Sequence, residues 1–359
     1  MRQSRSPAPR AGAAAAPEMP PAGQPTGATA RGMPVAGRSA TMPAPNPATA
    51  DPPSAAPRPA PGNVLLGVVL LVVSLSILTL LDAGGKWVMM AGVPLVVLCW
   101  VRYAVHLVLA LAVILPARGP RILRSRRPSA QITRGTCMVV STSAFFTTLR
   151  YLPQAEATAI NFLAPLLVLA TAPWVLREPP RLSRWIAAGV GLLGVLVVIR
   201  PGAGLHPLGT LIGLGTACCF AAQYISTRRV AIDDPLTSLV WSGAVGTALL
   251  TLALPFVLPA ALPVLAGLEP LHWAVLASTG VLGCVGHLLQ IVAYRNAPAS
   301  ALAPFIYLQI VSAASVSWLI WGDFPDAVTW LGIAIICSSG MGIGVLEWRR
   351  SRGAQAQPA

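Results

Sequence analysis

The sequence predicts an all-α polytopic membrane protein: ten transmembrane helices arranged as two inverted five-helix repeats. Three observations predict it. Hydrophobic residues make up 55% of the 359 and charged ones 10%, with a positive mean hydropathy, a balance that suits lipid rather than water as the solvent. From residue 64 onward, apolar runs of about 18 to 23 residues follow one another, each long enough to cross a hydrocarbon core of about 30 Å as a helix. The stretch Arg150 to Trp185 then recurs 145 residues later without a gap, placing Arg150 on Arg295, Pro153 on Pro298, Pro180 on Pro325 and Trp185 on Trp330, with Glu178 on Asp323. Rare residues fall at the same punctuation points, which marks a duplicated unit. The runs are continuous and not alternating, which argues against a β-barrel.

Residues 1–62 come first, rich in Pro, Ala and Gly with six arginines and almost no large apolar side chain. Such a segment cannot bury enough surface to offset its ordering entropy, so it reads as a disordered cytoplasmic tail. A start codon assigned too early is the competing account, since Met19, Met33 and Met42 are alternative starts. No apolar segment of signal-peptide type precedes Val64. The helices are expected at 64–85, 94–115, 132–150, 155–176 and 183–200 in a first unit, residues 63–202. The second unit, 203–348, holds 207–228, 236–258, 271–294, 298–321 and 328–347. Residues 349–359 form a short basic tail.

Basic residues orient the chain. With the N-terminal tail inside, 21 of them fall on the cytoplasmic side, among them Arg118, Arg121, Arg124, Arg126, Arg127, Arg134, Arg228, Arg229 and Arg295; only Lys86, Arg150 and Arg200 fall outside. The positive-inside rule then places both termini in the cytoplasm. Five helices per unit is an odd number, so the second unit enters from the opposite face. Equivalent loops should differ in charge, and Arg177, Arg181 and Arg184 align with Gly322, Asp326 and Thr329.

The net charge of +14 lies on the side that faces anionic lipid, so the bilayer accounts for it without a nucleic acid. All six cysteines fall inside apolar runs and lack the paired spacing, with histidines, of a zinc site, so neither a disulfide nor a metal is expected. The sequence also lacks H-E-x-x-H, G-x-S-x-G and P-loop patterns, which argues against an enzyme, a cofactor and ATP-driven pumping.

The second unit reads GHLLQIVAYRNAPASALAPFIYLQ over Gly286 to Gln309 and WGDFPDAVTWLG over Trp321 to Gly332. The first reads RYLPQAEATAINFLAPLL, then REPPRLSRW and VLVVIRPG. Taken in order over about residues 64–347, these resemble the paired EamA repeats of the drug/metabolite transporter (DMT) superfamily. They are closest in style to the bacterial branch with an Asp and a Lys ending the first helix, here Asp82 and Lys86, and an Arg in the second, here Arg102. REPP departs from the Gly-Glu-Arg/Lys loop commoner in that family. The resemblance implies ten helices in two inverted bundles, a solute path between them, and secondary transport of a small metabolite or drug-like solute by alternating access. The competing reading is a non-transporting scaffold or sensor. The resemblance also implies the inner membrane of a bacterium, and the transporter reading is compatible with proton or exchange coupling and with a homodimer.

Charges inside a bilayer are costly, so each is a candidate for function unless a partner neutralises it. Arg102 is the sharpest, about 12 Å below Pro94 at 1.5 Å per residue, with His106 one turn on. It either binds or gates solute, or simply pairs with Asp82. Asp82 and Lys86 are spaced as a helix-end ion pair. Glu156 starts the fourth helix, where a carboxylate either carries a proton or complements the helix dipole. His287, Gln290 and Tyr294 form a stripe on the eighth helix; Gln223 on the sixth and Gln309 on the ninth add shorter ones. Such stripes serve as interhelical glue or as a cavity wall. The expected substrate-binding set is therefore Arg102, Asp82, Lys86, His106, Glu156, Gln223, His287, Gln290, Tyr294 and Gln309.

Overall fold

A computed structural model describes residues 63–175, 182–200 and 205–355, and all regular structure among them is helical. The N-terminal tail, the loop carrying Arg177, Glu178 and Arg181, and the last four residues lie outside the described residues. The helices are α1 (Val64–Met90), α2 (Leu95–Arg118), α3 (Pro128–Leu149), α4 (Gln154–Asn161), α5 (Leu163–Val175), α6 (Leu182–Ile199), α7 (Pro207–Arg229), α8 (Pro235–Ala266), α9 (Pro270–Asn296), α10 (Ala299–Ile306), α11 (Leu308–Trp321) and α12 (Ala327–Gln355). Proline sets many of the starts: it stands in the first turn of α3, α7, α8 and α9, where its missing N–H costs nothing. Asn63 and Asp234 cap α1 and α8 through side-chain oxygens that accept from Leu66 and Leu236 N–H groups.

Among the described residues, nine helical stretches are long and apolar enough to cross a membrane. The 22-residue α3 is long enough at 1.5 Å per residue, but Gln131, Thr133, Arg134, Thr136, Ser141, Thr142 and Ser143 lower its hydropathy. Many hydroxyls within the helices are satisfied locally, as where Thr79, Thr136 and Thr147 each donate to the carbonyl one turn back, and these need no water.

The fourth and ninth expected helices each consist of two pieces. α4 gives way to α5 at Phe162, and α10 to α11 at Tyr307, both in right-handed helical dihedrals. Pro165 and Pro304 each remove one helical donor within a turn of these points. Phe162 and Tyr307 stand 145 positions apart, and their rings face each other with centroids 5.0 Å apart. Pro153 and Pro298, at the same spacing, precede α4 and α10.

The most extensive pairings are α1 with α9, α6 with α12, α3 with α7 and α2 with α8. Small residues allow them. A Cβ on Gly332 would stand 2.7 Å from the Gly194 carbonyl oxygen, and one on Gly194 2.9 Å from that of Gly332, so α6 and α12 touch backbone to backbone. At Gly189, Gly342 and Gly344, by contrast, a Cβ would meet nothing within 4 Å.

Contacts sort the helix ends into two sets. At one end, Trp87 stacks on His272 at 4.6 Å, Tyr151 on His206 at 5.1 Å, and Arg200 pairs with Asp326. At the other, Arg127 donates to the Arg229 carbonyl and Arg295 pairs with Asp234 at 3.1 Å. Leu81, Val88, Leu98, Leu149, Leu152 and Ile160 belong to the largest apolar cluster, which fills the first end.

Candidate functional site

A cavity of about 530 Å³ runs from the α7–α8 loop into the bundle. Val230, Ala231, Asp233 and Pro235 line its mouth, and it stops at Asp82, Thr158 and Phe146, one turn short of Lys86. Phe145, Phe146, Phe162 and Leu81 of the large apolar cluster form part of its wall. Eight helices, α1, α2, α3, α4, α7, α8, α9 and α11, contribute polar groups to its lining.

Of the expected residues, Asp82, Arg102, Gln223, His287, Gln290 and Gln309 line this cavity. Arg102 is 8% exposed. Its Nη1 donates to Thr142 Oγ1 at 3.3 Å, its guanidinium carbon lies 5.1 Å from the Tyr103 ring, and its Nε is buried without a partner. No carboxylate among the described residues lies within the 4.0 Å of an ion pair. Asp82 faces the same space but does not close on Arg102. Nε2 of His287 and Oδ1 of Asn161 are also buried and unmatched on the cavity wall. Gln223 accepts from Ser141 at 2.6 Å, which ties α7 to α3.

His106 lies behind this wall: Nε2 is 3.3 Å from the Leu239 carbonyl, and its ring meets that of His287 edge-on at 6.2 Å. Tyr294, one turn beyond Gln290, is 42% exposed and outside the lining. Lys86 and Glu156 sit at the closed end. Lys86 Nζ donates to the Leu152 carbonyl at 3.1 Å and stands over the Trp321 ring at 4.8 Å, not against Asp82. It therefore ties the end of α1 to the α3–α4 corner and to the end of α11.

Sequence reasoning missed Arg134, Thr142, Ser238 and Ser242, which all line the cavity. The signal was present: Arg134, Met138, Thr142 and Phe145 recur at helical spacing, and counting Arg134 as a loop charge hid the stripe. Asp233 was missed as well. It accepts from Ser125 Oγ at 2.5 Å, the Arg126 N–H at 2.9 Å and Gln131 Nε2 at 2.8 Å. Burial alone would raise its pKa, but these three hydrogen bonds outweigh that and hold it below the ordinary 3.8. At the opposite end, hydrogen bonds from Arg200 and the Thr329 N–H hold Asp326 far below the usual range.

The sequence profile described as the EamA-like transporter family matches residues 65–200 and again 207–344. The chain belongs to the EamA-like transporter family. This EamA-like protein is 26% identical to an S-adenosylmethionine uptake transporter of Rickettsia prowazekii over 218 residues, 61% of this chain and 72% of the relative. It is 27% identical to a riboflavin transporter of Vibrio cholerae over 265 residues, 73% and 86% of the two chains. A riboflavin transporter of Rhizobium johnstonii is 24% identical over 297 residues, covering 81% and 95%. One crystal structure shares the fold with a TM-score of 0.54 at 19% identity, covering 80% of this chain and 97% of that one. The EamA-like chain is a multi-pass membrane protein and a secondary transporter of small metabolites.

Because folded Asp233 binds its proton less readily than the unfolded chain does, its contribution is full above about pH 4 and is lost as pH falls through the lower folded value. Asp233→Ala is expected to destabilise by about 1–3 kcal/mol at pH 7, since it strands the buried Gln131 amide. Thermal unfolding in detergent from pH 7 to 3 should show the gap to wild type narrowing at the acid end. A gap that is constant or widens contradicts the account.

Proposed function

We propose that this EamA-like chain carries a zwitterionic metabolite with a carboxylate and a nearby cationic group, by alternating access between two inverted five-helix units, residues 63–202 and 203–348. The observation that carries it is Arg102, a guanidinium enclosed in the cavity with unmet N–H donors and no carboxylate in contact. Membrane-buried charge of this kind is kept for a partner that comes and goes. Asp82 across the cavity suits the cationic group, and Asn161, His287, Gln223, Gln290 and Gln309 supply neutral hydrogen bonds.

Three features support the inverted duplication. The family profile matches twice. Helix starts and breaks recur at a spacing of 145, including α6 at Leu182 against α12 at Ala327. Exchanging units turns the α1–α9 pairing into α7–α3, and both pairings exist. With α4–α5 and α10–α11 each crossing as one kinked helix and α3 as the polar one, the count is ten. In this reading the arginine-rich cavity mouth faces the cytoplasm, together with both termini, and Lys86 helps close the outer face. A cysteine at Phe324 should then react with an impermeant thiol reagent added outside, whereas one at Arg124 should not; the reverse pattern would overturn the orientation.

The charges on the cavity wall favour one of the relatives' solutes over the other. S-adenosylmethionine carries a carboxylate and cationic groups, while riboflavin is uncharged at neutral pH. In proteoliposomes, uptake of labelled S-adenosylmethionine is expected, with riboflavin a poor competitor. Arg102→Gln, at matched protein level, should lose affinity more than about tenfold, over about 1.4 kcal/mol. Riboflavin uptake that is indifferent to Arg102→Gln would refute the charge reading.

A further inference from the structure

Arg134 stands in the second turn of α3, half-buried on the cavity wall near its mouth. Its Nε donates to Thr227 Oγ1 at 3.2 Å, and its Nη1 donates to the Ser238 carbonyl at 3.2 Å and to the Ser242 hydroxyl. All three acceptors are neutral. These bonds use three of its five N–H donors, and among the described residues the two on Nη2 have no protein acceptor. The nearest acidic side chain at the mouth, Asp233, is occupied by Ser125, the Arg126 N–H and Gln131. Asp234 is paired with Arg295. Among the described residues no carboxylate comes within ion-pair distance of Arg134.

The two cavity guanidiniums stand in sequence along one helix. Arg102 bonds Thr142, eight residues beyond Arg134, which is about 12 Å along α3 at 1.5 Å per residue. Neutral Gln223, one turn along α7 from Thr227, lies on the same wall. A guanidinium fixed by neutral oxygens on a cavity wall, with two N–H donors left over, is built to take a carboxylate or phosphate oxygen.

We propose that Arg134 is a second anion-binding station, at the mouth of the cavity, which takes the anionic group of the solute before or after it pairs with Arg102. This rests on reading the cavity as the solute path. The station binds a free organic oxyanion, and the phosphate of an anionic lipid head group shares that chemistry.

The test needs no identified solute. In protein whose six native cysteines are replaced by alanine, Met138→Cys places a thiol on the cavity wall one turn deeper than Arg134. Its reaction rates are measured with anionic sulfonatoethyl and cationic trimethylammonioethyl methanethiosulfonate, in phosphatidylcholine nanodiscs with and without phosphatidylglycerol. Relative to a free thiol, the anionic reagent is expected to be favoured about tenfold. Arg134→Gln should abolish most of that preference while leaving the cationic reaction intact, which shows the variant is folded and open. Arg134→Lys should keep it. Benzoate, against chloride at matched ionic strength, should slow the anionic reagent in the parent but not in Arg134→Gln. A preference unchanged by Arg134→Gln, benzoate slowing both proteins alike, or a thiol that neither reagent reaches would each overturn the station. An Arg134-dependent preference that disappears when phosphatidylglycerol is present would assign it to lipid and overturn it too. Because labelling is read without flux, the station can fail while transport stands, and transport can fail while the station stands.

Discussion

A guanidinium enclosed by helices and left without a carboxylate is the constraint on which the cavity depends. Placing Arg near the centre of a bilayer costs about 2.5–3.5 kcal/mol on insertion scales, and one hydrogen bond donated to Thr142 and a position over the Tyr103 ring do little to offset that. The surroundings are organised to tolerate it. Tyr103 donates to the Met138 carbonyl at 3.1 Å and fixes α2 to α3, while Gly280 lets α9 approach the Arg102 backbone so closely that a Cβ would stand 2.9 Å from its carbonyl oxygen. Helix packing that elsewhere excludes water here leaves a polar chamber around Arg102.

The chamber is closed at one end by different means than at the other. Toward Lys86, aliphatic packing and a single lysine tie spanning α1, the α3–α4 corner and Trp321 make the seal. Toward Asp233, the contacts are polar: Ser125, Gln131 and Arg126 converge on one carboxylate, and Trp241 donates to the Leu123 carbonyl at 3.0 Å. Between the two ends, the helix breaks at Phe162 and Tyr307 meet ring to ring.

Much of the fold was legible because the bilayer demands continuous apolar runs and proline marks where they begin; α4 and α10 start directly after Pro153 and Pro298 as the pattern implies. The breaks at Phe162 and Tyr307 were not legible, since a one-residue interruption in helical dihedrals leaves hydropathy untouched. At the site, Arg102 announced itself as a charge in an apolar run, and His287 and Gln290 as a stripe. Lys86 shares a helix face with Asp82, yet it reaches a carbonyl and a tryptophan from distant segments, and no local spacing encodes that choice. Arg134 was hidden by its place near a helix start, where charge counting assigns every arginine to the loop. Whether such a residue faces lipid head groups or a cavity depends on how α3 is rotated against α7 and α8, a tertiary fact.

The central claim is that Arg102 is retained for a solute and not for the fold. An unpaired buried charge kept for function is expected to reduce stability, so removing it should relieve the protein. Replacing Arg102 by Met, which keeps the length and apolar stem, and measuring thermal unfolding of the purified protein decides the matter. The account predicts an unfolding midpoint equal to or above that of the wild type. A midpoint several degrees lower would show Arg102 to be part of the scaffold and contradict it.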